Sequence, residues 1–123
     1  MTSEHDIRLL FDDWTAALQT GDAKQVSALY EHNAILLPTV SNQVRRNHDE
    51  IEDYFVGFLK QQPKGELDQA HIRIFGECAI NSGIYVFTLN DGSKIHARYT
   101  FTYHWNGQQW KIVEHHSSKM PEQ

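Results

Sequence analysis

The sequence holds a single cysteine, Cys78, in 123 residues. A lone thiol forms no internal disulfide and offers no zinc-ligand pattern, so neither a cross-link nor a structural metal stands in for a packed core. Basic residues are scarce: 11 Lys and Arg against 16 Asp and Glu give a formal net charge of −5. That balance argues against nucleic acid or an anionic membrane as partner, because both require a cationic face. Arg45-Arg46 is too short to supply one. No apolar run is long enough to span a bilayer, and the acidic stretch MTSEHDIRLLFDDW does not read as a signal peptide. The expectation is a cytoplasmic protein with no membrane partner. Internal repeats and low-complexity tracts are also lacking.

What is present fits one domain over residues 1–123. Hydrophobic residues make up 40% and charged residues 22%, an ordinary globular balance. Ile7, Leu10, Phe11, Trp14 and Leu18 fall on one face of a helix predicted over residues 4–19, with Ser3 as N-cap and Gly21 as its end. Asp22 caps a short second helix that buries Val26, Leu29 and Tyr30. Ala34–Leu37 is a strand stopped by Pro38. Asn47 and Glu50 form a capping box for a third helix with the stripe Ile51, Tyr54, Phe55, Phe58 and Leu59. The period then changes, and residues 67–75, 78–89, 94–105 and 109–118 read as four consecutive strands. Helices gathered early and a meander late mean an α+β fold with an antiparallel sheet.

Asn106-Gly107 is the strongest hairpin signal in the chain. Taken as a two-residue turn, it sets Arg98 opposite His115; a four-residue loop at 90–93 sets Tyr85 opposite Arg98. Cross-strand partners share a face. Tyr85, Arg98 and His115 would then form one polar row, joined by Phe87, His96, Thr100 and Ser117. The other face would carry Tyr99, Phe101, Tyr103, Trp105, Trp110 and Ile112. So many large side chains on a face the helices do not cover predict a homodimer or higher oligomer through that aromatic surface.

Several segments carry a resemblance. RYTF at 98–101, the W-x-I-V pattern at 110–113 and HHSS-x-MP at 115–121 are similar to bacterial relatives of the calcium/calmodulin-dependent protein kinase II association domain. GD at 21–22, LLPT at 36–39, DYF at 53–55 and NSGIY at 81–85 agree in order and spacing. That group lies in the nuclear transport factor 2-like superfamily, with SnoaL-like cyclases and ketosteroid isomerases. The resemblance implies a cone-shaped curved sheet wrapped against three helices, a pocket between them, and assembly into dimers or larger rings. It also implies a pocket for small carboxylates, with Arg98 near a pocket arginine of the kinase hub. No Gly-rich loop or catalytic-loop motif is visible, so no kinase activity is expected.

The candidate site follows from both lines. Arg98 is either the structural partner of Glu114, Asp12 or Asp13, or a clamp for a carboxylate or enolate oxygen. Tyr85, Thr100 and His115 would supply hydrogen bonds, and Trp14, Tyr54 and Phe58 apolar walls. The ligand expected is a small organic acid or carbonyl compound. Three readings remain open: a small-molecule-binding domain, a SnoaL-like or ketosteroid-isomerase-like enzyme with His115 or Asp13 as base, or a purely structural oligomeriser. No cofactor and no metal are expected, since no ligand motif stands out and His115 and His116, being adjacent, point to opposite faces of a strand.

Overall fold

The computed structural model describes residues 2–122. Helix α1 runs over Glu4–Gln19, α2 over Ala23–Ser27 and α3 over His48–Phe58, with a 3-10 turn at Leu59–Gln61. The strands are β1 (Tyr30–Leu37), β2 (Lys64–Phe75), β3 (Cys78–Thr88), β4 (Lys94–Trp105) and β5 (Trp110–Lys119). They form one sheet in the order β1-β5-β4-β3-β2. The last four strands pair antiparallel, as a meander must. β1 instead lies parallel to β5. The expected all-antiparallel sheet is therefore a mixed one, because helix α3 carries the chain across between β1 and the meander.

Local chemistry sets the helix ends. Ser3 and Asp6 close a reciprocal capping box: the Asp6 N–H donates to Ser3 Oγ at 3.2 Å and the Ser3 N–H to Asp6 Oδ2 at 2.8 Å. Asn47 Oδ1 accepts from the Glu50 N–H at 3.0 Å and starts α3. Each cap satisfies amides that have no partner within the helix. Tyr30 is not part of α2, as the sequence pattern suggests, but opens β1. Its carbonyl accepts from His48 Nε2 at 2.5 Å, which ties β1 to the start of α3.

The core lies between the helices and one face of the sheet. Ile7, Phe11, Trp14 and Leu18 of α1 and Ile51, Phe55 and Phe58 of α3 pack over Tyr85, Phe87, Tyr99, Phe101, Tyr103 and Ile112. The aromatic face predicted to be an association surface is thus the helix-covered interior. Among the described residues, no helix covers the sheet's other face. That face presents Ile80, Ile84 and Val86 of β3, half-buried, beside Thr100, Thr102, Arg98, His96 and His104 of β4 and His116 of β5.

Two odd-numbered register changes explain the inversion. The β3–β4 connection is one residue longer than expected, because Leu89–Ser93 closes with the Leu89 N–H donating to the Ser93 carbonyl at 2.9 Å. Gly92, at φ +85°, makes that turn possible. Arg98 consequently pairs with Ile84, and Tyr85 with Ala97. In the last hairpin Asn106 Oδ1 accepts from both Gln108 and Gln109 N–H groups, so the connection spans 106–109 and Trp105 faces Trp110. A bulge then interrupts the ladder: Tyr103 pairs with Ile112 but Thr102 with Glu114, leaving Val113 over. A one-residue shift exchanges the two faces of a strand. A third irregularity lies at Leu67/Gln69 of β2. It brings the Gln69 carbonyl so close to β3 that a Cβ at Gly83 would lie 2.0 Å from its oxygen, so only glycine fits there.

Candidate functional site

Strand periodicity carries Tyr85, His115 and Ser117 inward, and the α1 stripe places Trp14 above them. His115 is 3% exposed, flanked by the face of Phe101 at 4.0 Å between ring centroids and by Trp14 edge-on at 5.4 Å. Both ring nitrogens have partners: Tyr30 Oη lies 2.8 Å from Nδ1 and Tyr85 Oη 3.1 Å from Nε2. Tyr85 donates to Ser117 Oγ at 2.5 Å, and Ser117 is hydrogen-bonded to Thr39 Oγ1. The Trp14 indole N–H donates to Tyr30 Oη at 3.2 Å. The result is one unbroken polar chain through the aromatic core.

Above it lies a cavity. Trp14, Phe55, Phe58, Tyr54 and Phe87 form its walls, with Leu36 and Ile95. His115, Tyr85 and Ser117 form its polar end, and Pro38, Thr39 and Val40 border it from the loop after β1. The space measures about 400 Å³ with its open mouth included. The loop is held at its base by a backbone pair between Leu36 and Arg45, with N–H···O distances of 2.8 and 2.9 Å. Among the described residues, no Lys, Arg, Asp or Glu lines the cavity. Outside it, Arg45 lies over the Tyr54 ring at 5.7 Å and pairs with Asp53 at 2.9 Å.

Burial governs the electrostatics. It lowers the His115 pKa from 6.5 to about 3, with a smaller contribution from the neighbouring charge of His116, so the imidazole is neutral at ordinary pH. The same desolvation raises the phenols of Tyr30 and Tyr85 well above their usual range and pushes Tyr54 up to about 12. Every polar group of the site is therefore uncharged at neutral pH.

The structure brings together Tyr85, His115, Trp14, Tyr54 and Phe58 at one cavity. It does not bring Arg98, Thr100 or Asp13 there. Arg98 is exposed on the opposite face, paired with Ile84 and Ser118, and Thr100 shares that outer face opposite His116. Asp13 is exposed on α1. The row Tyr85–Arg98–His115 is thus corrected: each of the two register shifts is odd, so Tyr85 and His115 stay together while Arg98, between them in the sheet, is turned outward. Tyr30, Ser117 and Thr39 complete the polar chain without having been expected to meet. The sequence signal for Thr39 was LLPT at 36–39, where Pro38 ends the strand and turns the loop over the pocket. Among the described residues no three His, Cys, Asp or Glu side chains converge as a metal site would require. No helix among them is long and apolar enough to cross a membrane.

Comparison with known proteins places this architecture. No curated protein matches the chain. A Xanthomonas campestris structure, provisionally described as a calcium/calmodulin dependent protein kinase II association domain, is 42% identical. The match covers 100% of this chain and 91% of that one, with a TM-score of 0.95. A nuclear transport factor 2-like protein with a cystatin-like fold from Novosphingobium aromaticivorans is 15% identical over 97% of this chain and 82% of its own, with a TM-score of 0.80. A Parabacteroides distasonis protein, provisionally described as a ketosteroid isomerase, is 17% identical over 98% and 90%, also with a TM-score of 0.80. These last two share the fold. The model of the calcium/calmodulin dependent protein kinase II association domain matches residues 3–121, and the chain belongs to that family.

Proposed function

We propose that this protein is a self-associating domain that holds a small uncharged organic molecule, with no kinase activity of its own. The observation that carries the ligand reading is the polar end of the cavity: His115, Tyr85 and Ser117, hydrogen-bonded to one another, set in aromatic walls with no charged side chain. A few polar groups converging in an apolar concavity is the usual composition of a ligand site. With Arg98 on the outer face nothing in the cavity neutralises a carboxylate, and burying an unpaired anion is costly. A neutral carbonyl compound fits where a small acid does not. The geometry also favours binding over proton abstraction. Both nitrogens of His115 are already engaged, so neither offers a lone pair to a ligand, and Asp13 lies outside.

The test uses matched probes. Ligand-observed NMR with cyclopentanone and cyclopentanecarboxylate should detect the ketone in the cavity and not the carboxylate at neutral pH. Tighter binding of the carboxylate would overturn the uncharged-ligand reading.

Self-association rests on the family and on the helix-free face of the sheet. Ile80, Ile84 and Val86 give that face an apolar centre, ringed by Arg98, His96, His104 and Glu114. Arg98 and Glu114, opposite in charge on one surface, suit a second copy of the same chain in reversed orientation. Wild-type protein should run as a dimer or larger species in light scattering. Ile84→Arg should reduce its mass to that of a monomer while leaving the circular dichroism spectrum unchanged. A monomeric wild type at the highest soluble concentration would remove this surface from the proposal.

A further inference from the structure

The polar chain through the core has a direction that the donors and acceptors themselves determine. The indole N–H of Trp14 can only donate, and it donates to Tyr30 Oη. Tyr30 has one hydroxyl hydrogen, and among the described residues its remaining partner is His115 Nδ1. Since Trp14 accepts nothing, that hydrogen goes to Nδ1. The opposite arrangement would have Nδ1–H pointing at Tyr30 and leave a fully buried phenol hydrogen with no acceptor, at a cost of about 1–3 kcal/mol. Nδ1 is therefore the acceptor, and the ring proton resides on Nε2, which donates to Tyr85 Oη. Tyr85 passes its own hydrogen to Ser117 Oγ. Ser117, having accepted, donates to Thr39 Oγ1. The Thr39 hydrogen then meets no other side-chain acceptor among the described residues, and Thr39 borders the cavity.

We propose that the Trp14–Tyr30 pair fixes the direction of this chain, so that it ends in a free hydroxyl donor on Thr39 and the site selects ligands bearing a hydrogen-bond acceptor, a ketone or similar neutral carbonyl oxygen. This deepens the binding reading above and rests on it for the ligand. Trp14 and Tyr30 are positioning residues, acting through His115, Tyr85 and Ser117. Thr39 is the residue that touches the ligand. Reversal of the chain would present lone pairs of Thr39 in place of its hydrogen and select donors such as alcohols or amides.

Two measurements separate the direction from the ligand. Long-range 1H–15N correlation on protein without ligand, at neutral pH, reads the His115 tautomer. The expected result is a protonated Nε2 and a bare Nδ1 in wild type, and a mixture of tautomers in Tyr30→Phe, where Nδ1 has lost its donor. A protonated Nδ1 in wild type overturns the direction whatever binds. The second measurement is the affinity of cyclopentanone compared with methylenecyclopentane, which has nearly the same shape without the oxygen. Thr39→Val should weaken cyclopentanone by about 3- to 10-fold, the worth of one neutral hydrogen bond. It should leave methylenecyclopentane unchanged, and Thr39→Ser should restore the ketone affinity. Equal cyclopentanone affinity in wild type and Thr39→Val overturns the role of Thr39. No cyclopentanone binding at all overturns the ligand class together with the binding reading, while the tautomer still decides the direction.

Discussion

Trp14→Ala is expected to lower the melting temperature by about 15 °C. The indole is 1% exposed and packs against Phe11, Phe55, Phe87 and Phe101, lying parallel to the Tyr85 ring at 6.1 Å between centroids. Truncating a buried tryptophan costs about 3–5 kcal/mol, part from lost transfer energy and part from the void it leaves. At this chain length 1 kcal/mol corresponds to roughly 4 °C. The void would open into the existing cavity, so water can enter, and collapse would recover little. Urea denaturation should show the lower midpoint directly. Trp14→Phe retains most of the ring contacts and should cost less than half as much. A loss below about 1 kcal/mol for the alanine variant, well under the usual cost, would mean that the indole does not hold the helix layer to the sheet.

Acid should destabilise the protein in a window that His115 sets. Folded, the imidazole has its pKa depressed to about 3; unfolded, it returns to its ordinary 6.5. Between these values the unfolded chain binds a proton that the folded chain refuses. Stability from this residue is complete above pH 6.5 and declines as the pH falls toward 3, by about 1.4 kcal/mol per pH unit. From pH 6.5 to pH 4 the loss is therefore about 3 kcal/mol. The measurement is a set of urea midpoints across that range for wild type and His115→Gln. Asp6, Glu50 and Asp91, whose pKa values are lowered by local hydrogen bonds at exposed positions, contribute equally to both proteins and drop out of the difference. The variant should be less stable at pH 7 but follow a flatter profile. Parallel profiles would show that the depressed imidazole is not what couples folding to acid.

Most of the element order was legible because it rests on local signals. The Ser3 and Asn47 caps and the apolar stripes of α1 and α3 each act within a few residues, and each is where the pattern places it. Register was the weak point. The bulge at Val113 has no glycine beside it; it is flanked by Ile112 and Glu114 and reads as ordinary strand. What selects it is tertiary: Ile112 is held in the core, where its N–H donates to the Leu29 carbonyl at 3.0 Å, and His115 must reach Tyr30. The parallel pairing of β1 with β5 is likewise non-local. An odd offset in each hairpin, one residue between β3 and β4 and three between β4 and β5, exchanged the two faces of β4, and with them the assignment of Arg98. Tyr85 and His115 kept each other's company only because the two errors compensate between β3 and β5.

The unpaired Val113 gives the last strand an unusual mutability. Deleting that single codon would let β5 zip up in phase with β4 while Glu114 stays opposite Thr102 and His115 opposite Phe101, because the bulge already absorbs the extra residue. A one-residue insertion after Glu114 that no bulge absorbs would instead bring His116 and Ser118 into the interior in place of His115 and Ser117, and the hydroxyl-imidazole circuit would be rewired by a change that alters no other residue. Lineages built on this scaffold can thus exchange the chemistry of the hollow with that of the outside through insertions and deletions in one hairpin, a route that substitution-by-substitution comparison would overlook.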